Sequence, residues 1–143
     1  MKQILVFILF ASLFCWLLFS PIYKYVVLTR QAVIQQEVDF LLEVGASGRY
    51  GYIDNELIGE SKKRLTSLGF NTDKLQYTIT SSLNYTPTLQ QRLPRGEVFI
   101  VEISYPYEKM FLIDLLVGIE PFGEHERMRS YGVKMSEYVD QNE

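Results

Sequence analysis

The chain has 143 residues, with 14 Lys plus Arg against 17 Asp plus Glu and a formal net charge of −3. That length suits one domain of ordinary size, and the acidic balance argues against a nucleic-acid partner, which would need clustered positive charge. The densest basic cluster, Lys62-Lys63-Arg64, fits a solvated helix face.

Two residues after the initial Met1-Lys2, an uncharged apolar run extends from Ile4 to Phe19. It is long for the apolar region of a cleaved signal peptide, and no A-x-A-like site follows it. Counted through Tyr23 it approaches the roughly 20 residues of a membrane span, so residues 1–23 are expected to be an uncleaved transmembrane anchor with the lipid bilayer as partner. Trp16, Tyr23 and Tyr25 suit an interfacial belt. Cys15, the one cysteine, lacks a disulfide partner and follows bulky Phe14, so it reads as a small apolar side chain. Lys2 lies on one side of the run and Lys24 and Arg30 on the other, so charge alone leans against an outside head.

Residues 24–48 read as an amphipathic continuation of the same helix. Ile22, Val26, Val33, Phe40 and Val44 fall on one line, with Tyr23, Val27, Ile34, Val38 and Leu41 beside it. Lys24, Gln31, Gln35, Gln36 and Asp39 lie opposite, leaving a wide apolar stripe for packing. Pro21 is expected to kink the helix rather than end it. Gly45 to Gly48 supply the stop. Arg30 and Glu37 project within the apolar side. They pair or snorkel within the chain, or they form an ion pair between subunits.

Residues 49–143 read as an α+β head. Asp54 or Asn55 caps a second, short helix that runs to Ser67 and stops at Leu68-Gly69-Phe70. Leu75–Thr80, Phe99–Tyr105 and a stretch from Tyr131 to about Val139 alternate as half-buried strands, and Pro106 ends the second. Met110–Val117 is apolar on both faces except at Asp114, as a central strand would be. The expected fold is a long N-terminal helix with a membrane half and an amphipathic half, a short helix, and an antiparallel sheet of about four strands.

No catalytic constellation emerges. His125 is the single histidine and sits in a polar stretch without a ligand set for zinc. There is no G-x-S-x-G, no phosphate-binding loop and no dinucleotide fingerprint. Asp114 and Glu102 read as solvent-facing or paired strand residues, and a partner-facing or calcium-binding role for Asp114 is the alternative. No enzyme activity, cofactor, metal or small-molecule substrate is expected.

The layout of apolar helix, proline near position 21, amphipathic continuation and α+β head resembles the type IV pilin superfamily. It is similar to the Tad-like minor pilins and pilin-like proteins of Gram-positive bacteria. The local matches are Lys63-Arg64-Leu65 through Leu68-Gly69-Phe70 and the closing Ser130–Tyr138. Unlike processed pilins, the chain has no glycine before Gly45 and no acid before Glu37, so leader-peptidase cleavage is not expected. The resemblance implies a single-pass cell-membrane protein with its head outside the cell. It implies a minor or accessory subunit of a pilus, secretion or conjugation apparatus. Its partners would be other pilin-like subunits or assembly-platform proteins. Packing would fall to Pro21, Ile22, Val26, Arg30, Val33, Ile34, Glu37, Val38, Phe40 and Leu41. The alternative is a membrane-tethered binding or regulatory domain outside any filament.

Overall fold

The computed structural model describes residues 2–107 and 125–139. Helix α1 spans Lys2–Gly45 and helix α2 Asn55–Ser67, followed by a single 3-10 turn at Thr72–Lys74. Strands β1 (Gln76–Ser81), β2 (Val98–Pro106) and β3 (Arg127–Met135) form an antiparallel sheet in the order β1-β2-β3. The chain divides into two compact units, Met1–Ala32 and Val33–Glu143. The second is the α+β head, built on the last turns of α1.

Local sequence explains the element ends. The Asp54 side chain accepts a hydrogen bond from the Leu57 N–H at 2.7 Å, satisfying one orphan donor at the start of α2. At the other end Gly69 takes a left-handed φ of 87°. The N–H of Phe70 then donates to the Leu65 carbonyl and that of Gly69 to Thr66, both at 3.0 Å. This double closure is why Leu-Gly-Phe stops the helix there. Helix α1 runs on through Pro21.

The core forms where the head part of α1 lies on one face of the sheet. Ile34, Val38, Leu41 and Leu42 are buried in one cluster with Leu65, Phe70, Phe99, Val101, Ile103 and Tyr105. The alternation expected for β2 holds, since Phe99, Val101, Ile103 and Tyr105 are all fully buried. On β3 the faces are the reverse of what its apolar alternation suggests. Met128 and Ser130 are buried, whereas Tyr131, Val133 and Met135 are exposed. Gly132 shows the reason. A Cβ there would stand 2.6 Å from Leu42 Cδ1 and 2.8 Å from Val38 Cγ1, so α1 rests directly on the strand's backbone at this point. The glycine face must therefore look inward, and the register pairs Gly132 with buried Val101.

Two expectations are corrected. The sheet has three strands among the described residues rather than about four; Met110–Val117, with Asp114, lies outside them. The transmembrane anchor expected over residues 1–23 is also overturned. No helix among the described residues is long and apolar enough to cross a membrane. From Ile4 to Leu18 a helix rises about 22 Å at roughly 1.5 Å per residue, against about 30 Å of hydrocarbon. The membrane half of the expected helix, the single-pass localisation and the placement at the cell surface lose their basis with it.

Glycine substitutions test the packing. Gly132→Ala should cost about 1–3 kcal/mol, as overpacking does. Gly59→Ala, where nothing lies within 4 Å of the added carbon, should add about 0.5–1 kcal/mol through helix propensity. Chemical denaturation of the two variants reads both signs.

Candidate assembly helix

Helix α1 carries two different surfaces. From Ile4 to Leu18, within the first unit, the large apolar side chains are exposed all round the helix. Phe7 reaches 72% exposure, and Trp16 is the least exposed of the set at 54%. Cys15 is exposed among them. A helix normally hides one apolar stripe; this segment offers no polar face except Ser12, whose hydroxyl donates to its own helix at the Leu9 carbonyl.

The predicted packing residues divide between these surfaces. Pro21 and Ile22 are exposed, and Val26 and Arg30 are half-buried. Ile34, Val38 and Leu41 are wholly buried in the head's own core, with half-buried Val33 packed against it. That part of the stripe is already occupied by the sheet and α2. Phe40 keeps 40% of its surface exposed. One of its faces is covered by the Arg64 guanidinium, 4.4 Å from the ring centroid.

Glu37 finds its partner within the head. Glu37 is buried, and Arg64 from α2 satisfies it with two parallel bonds. Nε donates to Oε1 at 2.9 Å and Nη2 to Oε2 at 3.0 Å. This fork is the strong form of carboxylate pairing. The hydrogen bond to Glu37 raises the Arg64 pKa, with burial acting in the opposite sense and Glu60, 3.9 Å away, adding to the rise. Next to this pair, burial pushes the Tyr77 phenol up, partly offset by its 3.0 Å hydrogen bond with Ser61. The sequence places Arg64 in a basic triplet that reads as solvated, so its contact with Glu37 is invisible to spacing. The one available signal is that a carboxylate on an apolar stripe requires a cation from elsewhere in the fold.

Among the described residues no group of three His, Cys, Asp or Glu could hold a metal ion, and His125 is exposed. Glu102 is half-buried and lies 3.8 Å from Arg129 across the sheet. Comparison of the chain with protein-family models, curated proteins and solved structures finds no match.

The Glu37–Arg64 pair should couple α1 to α2 measurably. Arg64→Met strands a buried carboxylate and should cost about 1–3 kcal/mol, less than a fully buried pair because Arg64 is partly solvated. Arg64→Lys, which lacks the fork, should fall between. A double-mutant cycle with Glu37→Gln in urea should show a coupling of at least about 0.5 kcal/mol. Strict additivity would mean that the pair contributes nothing.

Proposed function

We propose that the protein is a structural subunit of an assembly, pilin-like in its layout. Residues 4–18 of α1 pack against helices of neighbouring subunits, and the head carries loops for further contacts. The observation that supports this reading is the uninterrupted exposure of large apolar side chains from Ile4 to Leu18. Apolar surface of that extent is costly in water at roughly 25 cal/mol per Å², and contiguous patches beyond a few hundred Å² mark interaction sites. A neighbouring helix of the same character would cover the side that faces it.

The packing stripe is accordingly moved forward from the sequence-based expectation. Ile34, Val38 and Leu41 hold the head together, and Ile4 to Leu18 remain for partners. Glu37 is engaged with Arg64, which leaves the fork between α1 and α2 as its role rather than an ion pair to another subunit. The pilin-like reading keeps the resemblance of layout as its support and needs no catalytic group.

Cysteine crosslinking tests the packing. Cys15 is replaced by Ser, single cysteines are placed in turn from Leu5 to Leu18, and cells expressing the full chain are oxidised. Crosslinked species, with the chain itself or with another protein, should peak every three to four positions, as one helix face against another requires. Uniform crosslinking or none at all would sink the proposal.

A further inference from the structure

The head holds a pocket of about 160 Å³ between the loop that follows α1 and the first turns of α2. Tyr50 and Tyr52 form its aromatic wall, with ring centroids 6.1 Å apart at an interplanar angle of 66°. Val44 and Leu57 give it an apolar lining, and Asp54, Glu56 and Glu60 are its charged residues. The lining holds three carboxylates and no basic side chain.

The loop is built to hold these rings. Gly51 between them has a φ of 66°, and a Cβ there would stand 2.7 Å from Cγ of Tyr138. Glycine is thus required both by the conformation and by the contact. The Arg92 guanidinium lies over the Tyr52 ring, 5.4 Å from its centroid, and 5.0 Å from the centroid of the Tyr138 ring. The Asp54 carboxylate is held at the cap of α2 by its bond to Leu57, which fixes its charge beside the cavity.

We propose that this pocket binds an alkylammonium group. Aromatic faces attract cations through the ring quadrupole. Carboxylates at the rim add long-range attraction for a single positive charge. The size fits as well, because an apolar cavity of about 150 Å³ accommodates one benzene ring, and a tetramethylammonium ion is of that class. An anion would face three carboxylates, and a neutral apolar ligand would leave them without use. The same chemistry is carried by a free quaternary amine and by the methylated lysine of a partner protein. The proposal stands independently of helix packing by residues 4–18.

Backbone amide NMR of the full chain, titrated with tetramethylammonium chloride against matched sodium chloride, provides the test. Saturable shifts confined to residues 44–60, at millimolar concentration or below, are expected. Tert-butanol, the neutral isostere, should bind at least about fivefold more weakly, in line with a modest cation–π gain. Exposed Glu56 changed to Gln, and exposed Tyr50 changed to Leu, should each weaken binding about threefold to tenfold with the rest of the spectrum unaltered. Choline and a trimethyl-lysine amide are then compared. Tighter binding of the first assigns a free amine, and of the second a partner's side chain. No saturable shift, or equal response to tert-butanol, overturns the proposal.

Discussion

Everything in the head follows from how closely α1 can approach β3. At Gly132 the strand has no side chain, and Val38 and Leu42 occupy the space where one would stand. That single vacancy lets the helix settle on the backbone and brings Ile34 and Leu41 into the same cluster as Phe99, Val101 and Ile103. Packing at this density is felt to the level of one methyl group. The contact also decides which way β3 faces. A slip of one residue would turn Tyr131 or Val133 toward the helix, and neither could be fitted under Val38 and Leu42.

Once α1 is seated, the charge at Glu37 has to be answered within the head. The helix turns this residue inward beside Val38, and α2 returns Arg64 to it. The guanidinium then does two jobs, bonding the carboxylate and covering Phe40. The head is satisfied by its own residues along this face, and the interaction potential of α1 is concentrated earlier, from Ile4 to Leu18. One helix therefore divides into a part whose apolar surface is used and a part whose apolar surface is available.

Much of this was readable from the residues. The cap at Asp54, the stop at Leu68-Gly69-Phe70 and the alternation in β2 are local signals, and α2 and β2 sit within a residue or two of their expected places, whereas β3 begins and ends about four residues earlier than expected. The faces of β3 were not readable. Hydrophobicity there points to Tyr131, Val133 and Met135, whereas the inward face is chosen by the space that Val38 and Leu42 of α1 take beside Gly132. Likewise the stripe through Ile34, Val38 and Leu41 announces burial without saying against what. The Tyr50–Tyr52 pocket was visible only as an aromatic loop, because the carboxylates that complete it come from α2 and its cap.

The last described segment also sets the order in which the molecule can form. The Glu137 N–H donates to the Ala46 carbonyl, and Ser136 exchanges bonds with Gly96 and Glu97. Contacts of such sequence separation close late and slow folding. On a ribosome adding about 5–20 residues per second, the interval between Leu18 and Glu137 is roughly 6–24 s. Throughout that interval the apolar start of α1 has been synthesised and the head has not closed. The apolar segment of α1 is therefore in place, with its surface uncovered by the head, before the domain behind it can close.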